Sequence, residues 1–181
     1  MMKPHSLREL ILLRHAKSSR DDLLLCDHQR PLTMRGEQAA IAMGQEIARL
    51  GLKPDLALCS SACRAQDTWN LVAAQLQPNP TAQTVAGLYD FGDGTALLDL
   101  IRTQSAAVRS LMLVGHNPSM QSLANRLCAS GSKALRAAMA NKFPTAALAV
   151  ITFDQEDWSS ITSSSGDLSS FICPRNVPAK S

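Results

Sequence analysis

Two short apolar runs, Leu10-Ile11-Leu12-Leu13 and Leu111-Met112-Leu113-Val114, break off abruptly into polar residues. Arg14-His15-Ala16 follows the first run and Gly115-His116-Asn117-Pro118 follows the second. Continuous apolar runs of this length read as strands buried on both faces. Such strands hand the residues after them to the carboxyl edge of a sheet, where α/β proteins place their chemistry. Two histidines at two strand ends can face one pocket.

The remaining pattern alternates strand-like with helix-like segments. Thr33 stands as an N-cap before Ala40, Met43, Ile47 and Leu50, which recur at helical spacing, and Gly51 stands where a helix commonly stops. Residues 55–59 read as a second strand. Ser60-Ser61 can cap a helix over 62–76, which places Arg64 in its first turn and ends it before Pro78 and Pro80. A third strand over 81–85, a loop over 87–94 and a helix over 95–103 follow. The run into His116 is the fourth strand. Asn117 has N-cap chemistry and Pro118 has first-turn chemistry for a helix reaching residue 128. Pro144-Thr145-Ala146 leads a strand through Phe153. The serine-rich stretch 158–171 around Gly166 is either a linker or a hairpin-like connection. Its apolar flanks, Val150-Ile151 and Phe171-Ile172, favour a connection to one last edge strand. Residues 1–8 and 174–181 read as loose tails. The pattern predicts an α/β fold, a doubly wound, mostly parallel sheet with helices on both faces.

A chain of 181 residues suits one domain spanning 1–181. Its 45% hydrophobic and 18% charged residues are ordinary for a globular protein, and no apolar run approaches the roughly 20 residues that cross a bilayer. The basic start Met1-Met2-Lys3-Pro4-His5-Ser6-Leu7-Arg8 precedes only four apolar residues, so no secretory leader is read there. A net charge of +3, from 18 basic and 15 acidic residues, comes without a basic cluster or an aromatic stacking face. It argues against nucleic acid and suits an anionic small group. Five cysteines without a CxxC pair point to reduced thiols and a cytoplasmic protein.

Holding a phosphoryl group takes several fixed positive donors, because its oxygens carry dense charge. Arg14 and Arg64 can supply planar forks that are always charged, and the amides opening the helix of Arg64 can add to them. A histidine beside those forks can attack phosphorus through one ring nitrogen if an acceptor fixes the other. The phosphorylated histidine is then hydrolysed by water. A second histidine, protonated beside bound phosphate, would stabilise the equatorial oxygens. No metal or cofactor is required.

Leu12-Leu13-Arg14-His15-Ala16-Lys17-Ser18 resembles the RHG or RHA signature of the histidine phosphatase superfamily, which includes phosphoglycerate mutases and acid phosphatases. Further matches follow in order: Arg30-Pro31-Leu32-Thr33 with Gly36 and Ala39, Ser61-Ala62-Cys63-Arg64-Ala65-Gln66-Asp67-Thr68, Val114-Gly115-His116-Asn117-Pro118, and Phe143-Pro144-Thr145-Ala146-Ala147. Together they are similar to the small SixA-type phosphohistidine phosphatases over roughly residues 10–175. The resemblance implies a phosphoglycerate mutase-like α/β/α sandwich, with His15 as nucleophile, Arg14 and Arg64 as phosphate clamp and His116 as the second pocket histidine. It also implies a phosphorylated protein as substrate, with inorganic phosphate as product; no membrane partner is expected, because no apolar run is long enough to span a bilayer.

Larger relatives carry a glutamate general acid in the loop after the third strand, and Asp90 is the candidate at that place here. Its shorter side chain fits a substrate that needs little acid assistance. An imidazole, whose conjugate acid has a pKa of about 6.5, leaves far more readily than an alkoxide. The connections after the first and third strands are too short for a capping subdomain, so the pocket can admit a side chain of another protein. Arg30 either reaches the phosphate or pins its own loop. Two alternatives stand beside this reading, a small-molecule phosphomonoesterase of the same superfamily and a phosphate-binding module without turnover. A mutase, which needs an enclosed site, fits least. Cys59 and Arg64 have four residues between them where a cysteine-phosphatase loop needs five. Gly92-Asp93-Gly94 lacks the third glycine of a dinucleotide site. His5, His28 and Lys17 read as solvated bystanders.

Overall fold

The structure is a computed structural model that describes residues 7–22 and 24–177. Its elements run β1 (Arg8–Arg14), α1 (Met34–Arg49), β2 (Leu56–Ser60), α2 (Cys63–Ala73), β3 (Thr81–Val85), α3 (Thr95–Arg102), β4 (Ser110–Gly115), α4 (Ser119–Leu127), β5 (Cys128–Gly131), α5 (Lys133–Asn141), β6 (Leu148–Phe153) and β7 (Gly166–Ile172). The strands form one sheet in the order β3-β2-β4-β1-β6-β7-β5. β1 with β4, β4 with β2, β2 with β3 and β7 with β5 pair in parallel, whereas β6 lies antiparallel to β1 and to β7.

Successive side chains of a strand point to opposite faces, and the two apolar runs use both. Leu10, Leu12, Leu111 and Leu113 pack with Leu97, Leu98 and Ile101 of α3, Met120 and Leu123 of α4, and Met139 of α5. Ile11, Leu13, Met112 and Val114 pack with Met43 and Ile47 of α1 and Trp69 and Val72 of α2. The sheet is therefore covered on both faces, as the alternation predicts. Fully burying each such side chain stabilises the fold by about 1.5–3 kcal/mol. Among the described residues no helix is long and apolar enough to cross a membrane.

Several boundaries differ from the sequence reading, each for a local reason. Thr33 caps α1 as expected, its Oγ1 accepting from Gly36 N at 3.0 Å. The cap of α2 is instead Ala62, with no side-chain hydrogen bond. Pro118 rather than Asn117 caps α4, and the Asn117 amide donates away to the Phe143 carbonyl at 3.0 Å. β5 and α5 occupy a stretch to which the sequence pattern assigned no element. As a result β7 is an interior strand, with β5 outside it, and not the sheet's edge.

The expected tails are shorter than 1–8 and 174–181. Arg8 opens β1, is buried, and donates through its guanidinium to the carbonyls of Val108, at 2.9 Å, and Glu156. Pro174–Asn176 forms a 3-10 turn, and Val177 packs against the core beneath α1 and α2. The outer parts of both tails, 1–6 and 178–181, lie outside the described residues.

Candidate active site

The carboxyl ends of β1, β2, β3 and β4 lie side by side, because these four strands run parallel. His15, one residue past β1, is held from several directions. Its N–H donates to Gly115 O at 3.0 Å, and Ala146 N donates back to the Arg14 and His15 carbonyls at 3.1 Å each. Ala16 N donates to Thr68 Oγ1 at 2.9 Å. Helix α1 approaches so closely that a Cβ on Gly36 would sit 2.1 Å from the Lys17 carbonyl oxygen. Only a residue without a side chain allows this contact.

The rings of His15 and His116 face each other with centroids 4.9 Å apart. His15 Nδ1 donates to the Ala16 carbonyl at 2.7 Å, which fixes the neutral tautomer and leaves Nε2 with its lone pair. Arg64 Nε donates to that Nε2 at 3.3 Å. Burial pushes the His15 pKa down to about 4; the Ala16 hydrogen bond opposes this, and the charges of Arg64, Arg14 and Arg30 add to it. His116, almost wholly enclosed, shares a hydrogen bond with Ser60 Oγ at 2.8 Å. Its pKa falls to about 3, first through burial and then through His15 and Arg64. Both rings are neutral at pH 7.

Arg64, 3% exposed, sits in the first turn of α2 and spreads its fork across the site. Beyond His15 it donates to the Asp27 backbone carbonyl at 2.6 Å and to Asp27 Oδ2 at 2.8 Å. Tyr89 donates its hydroxyl to the same Oδ2 at 2.7 Å. Partial burial pulls the Asp27 pKa up, but the bonds from Tyr89, Arg64 and Arg30 outweigh it and hold the carboxyl well below the usual range. Arg14 donates to the Phe143 carbonyl at 2.8 Å, and its pKa is lowered by burial and then by the charge of Arg64. Arg14 Nε and His116 Nδ1 are buried nitrogens without a hydrogen-bond partner among the described residues. Leaving such an atom unsatisfied costs about 1–3 kcal/mol.

Thus the adjacent pair Arg14-His15 meets Arg64 and His116, both distant in sequence, at one edge of the sheet. Arg30 pins its loop: Nε donates to the Ser19 carbonyl, NH1 to Asp27 Oδ1 and NH2 to Ser18 Oγ, each at 2.7 Å. The carboxylate of Asp90 accepts from Gly92 N at 3.3 Å and closes a turn. Lys17 contributes its backbone, which accepts from Thr33 at 2.9 Å, and His28 joins Ser61 Oγ at 2.9 Å. Cys59 lies inside the core beside α1 and α2, where burial pushes its thiol up to about 12. Asp27, Ser60, Thr68, Tyr89 and Phe91 were not singled out by sequence reasoning. Nothing local distinguishes Asp27 from its loop neighbours Asp21 and Asp22, and its contact with Arg64 arises only from tertiary closure.

Residues 10–96 match the histidine phosphatase superfamily (branch 1). A Mycobacterium tuberculosis protein described as uncharacterized is 34% identical over 166 residues, covering 90% of this chain and all 100% of that one. The chain belongs to the histidine phosphatase superfamily. An uncharacterized chloroplastic protein of Arabidopsis thaliana is 36% identical over 135 residues, 70% of this chain and 62% of that protein, so this chain spans less than two thirds of its length. Among solved structures of the superfamily's fold, one assigned as the phosphohistidine phosphatase SixA of Agrobacterium tumefaciens is 29% identical. Its TM-score is 0.75, over 92% of this chain and 99% of that one. A second chain assigned as SixA, from Nakamurella multipartitia, matches the fold at TM-score 0.81 with 24% identity, over 95% of this chain and 99% of that one.

Proposed function

We propose that this protein is a phosphatase that removes the phosphoryl group from phosphohistidine on another protein, through a covalent phosphohistidine at His15. Superfamily membership supports a phosphoryl-group hydrolase. The observation that carries the residue-level reading is the His15 ring, locked through Nδ1 to Ala16 and neutral, with Nε2 beside the Arg64 guanidinium. A neutral imidazole nitrogen next to a cation is a nucleophile that an incoming anion uncovers, because phosphate oxygens take over the guanidinium's hydrogen bonds.

In this reading Arg14 and Arg64 hold the phosphoryl oxygens and His15 Nε2 attacks phosphorus. The P–N bond to the substrate imidazole breaks, and its electron pair stays with the departing nitrogen. That ring, already protonated on its other nitrogen, leaves as neutral imidazole. Water then attacks the phosphorus on His15, giving inorganic phosphate and free imidazole. His116, placed 4.9 Å away, takes up a proton when the dianion offsets the arginine charges, and stabilises the equatorial oxygens.

Two features support a nitrogen leaving group. Asp27 is held ionised by Tyr89, Arg64 and Arg30, so it does not stand ready as an acid at neutral pH, and the Asp90 carboxylate is turned onto Gly92 N. Among the described residues, the connections 15–33 and 86–94 carry no subdomain that would cap the site. A cytoplasmic location belongs to the same proposal, supported by five free thiols.

The test is a panel of a phosphorylated histidine-carrier protein, a sugar phosphate and 4-nitrophenyl phosphate, assayed with wild type and His15→Ala. The phosphoprotein is expected to show the highest kcat/KM, and the variant no turnover of any of the three. Faster turnover of the sugar phosphate would overturn the substrate assignment in favour of a small-molecule phosphomonoesterase. Tight phosphate binding without turnover by wild type would make the protein a binding module.

A further inference from the structure

The chain has seven aromatic residues of the Phe, Tyr and Trp types, namely four Phe, one Tyr and two Trp. Trp69, Phe143, Phe153, Trp158 and Phe171 are buried in the core. Tyr89 and Phe91 both stand at the candidate active site, in the loop between β3 and α3. Phe91 is 47% exposed and is the one aromatic among the exposed large apolar side chains of the described residues. Its ring centroid lies 5.2 Å from that of His116 and 5.0 Å from that of Tyr89. Tyr89 in turn meets His116 edge-on at 5.3 Å and His28 at 5.0 Å.

The wall is fixed in place. The Tyr89 hydroxyl is tied to Asp27 at 2.7 Å, the Asp90 carbonyl accepts from Ser119 Oγ at 2.8 Å, and Asp90 closes its turn onto Gly92. Phe91 is therefore held between anchored neighbours with much of its ring facing solvent beside His116. A ring that served only to pack His116 would be covered. Leaving it open costs hydrophobic free energy, which a planar ligand recovers by stacking.

We propose that Phe91, with Tyr89 behind it, forms a leaving-group subsite that receives a planar ring carrying the phosphoryl group. This rests on the reading of His15 as the phosphoryl acceptor and adds a basis for choosing the substrate. An imidazole or phenol presents flat faces to such a wall, whereas an aliphatic hydroxyl or a bare amine presents none. Phe91 is thus a specificity-determining residue, and selection acts on the group that departs.

The experiment compares N-phosphoimidazole with phosphoramidate, in which the same P–N bond breaks with and without a ring. The readout is the ratio of their kcat/KM values in wild type, Phe91→Ala and Phe91→Tyr. The ratio is expected to fall about tenfold in Phe91→Ala (about 1.4 kcal/mol), chiefly through KM of the ring compound. It is expected to stay within about twofold of wild type in Phe91→Tyr, which keeps the flat face. An unchanged ratio in Phe91→Ala, or an equal fall in Phe91→Tyr, overturns the subsite. If wild type turns over neither compound, phenyl phosphate against ethyl phosphate gives the same ratio and decides in the same way. Failure of the phosphohistidine reading appears in the wild-type substrate ranking, independently of this ratio across variants.

Discussion

Arg64 donates through Nε to His15 Nε2 at 3.3 Å while its two remaining nitrogens hold the carbonyl and carboxylate of Asp27 at 2.6 and 2.8 Å. One buried guanidinium therefore joins the proposed nucleophile to the loop that precedes α1. Arg64→Lys keeps the charge but replaces a planar fork by a single point that cannot serve those three directions. It is expected to lower kcat/KM for 4-nitrophenyl phosphate by about 10²–10³, the range seen when one fixed donor to a transition-state oxygen is lost. A fall of less than tenfold would show that charge alone suffices.

The depressed histidine pKa values set the pH behaviour. Ring NMR signals of His15 and His116 are expected to titrate near 4 and 3, with no step near the ordinary 6.5. Saturating inorganic phosphate should raise the His116 value, since a dianion offsets the arginines that lower it. Linkage gives the sign for stability. Above pH 6.5 neither the folded nor the unfolded rings bind protons. Between about 6.5 and 4 the unfolded chain takes them up while the fold does not. The stability present above 6.5 is therefore lost as pH falls through that window, and for His116 on down to about 3, on the order of 3–5 kcal/mol per ring. Urea titrations at a series of pH values measure it.

Gly36→Ala tests how the backbone beside His15 is held. The added Cβ would meet Lys17 O at 2.1 Å, so either α1 or the 15–17 segment must shift. A loss of about 1–3 kcal/mol in unfolding free energy is expected from such overpacking. Turnover should fall more than the folded fraction does, because the displaced segment carries the nucleophile.

Cys59→Ser is expected to leave turnover largely intact. The Cys59 thiol is pushed up to about 12 by burial among Ile11, Trp69 and Val114, so it supplies no thiolate at neutral pH. Abolished turnover in a folded Cys59→Ser protein would revive a cysteine nucleophile.

The candidate site was legible in the sequence where polar residues follow a sharp change of hydrophobicity. Leu13 to His15 and Val114 to His116 mark strand ends that no helical reading fits, and parallel pairing of β1 with β4 brings them together. Capping was misread because a serine or asparagine at a strand end has two uses. Ser60 and Ser61 turn to His116 and His28, and Asn117 turns to Phe143, instead of to helix amides. β5 and α5 leave no clear pattern in the sequence, because Cys128-Ala129-Ser130-Gly131 has no apolar alternation and α5 fully buries only Met139. Asp27 and Phe91 acquire meaning only through contacts with residues tens of positions away, at Arg64 and His116, which no local window contains.

The central claim is that phosphorus passes through His15, and the most direct measurement is to trap it. Wild-type protein is mixed with a phosphorylated histidine-carrier protein, quenched within the first turnover in alkali, digested and mapped by mass spectrometry. One PO₃ unit on His15, stable in alkali, lost in acid and absent in His15→Ala, is the expected result. Full turnover with phosphorus on a different residue, or with none on the protein at any time within the first turnover, would contradict it.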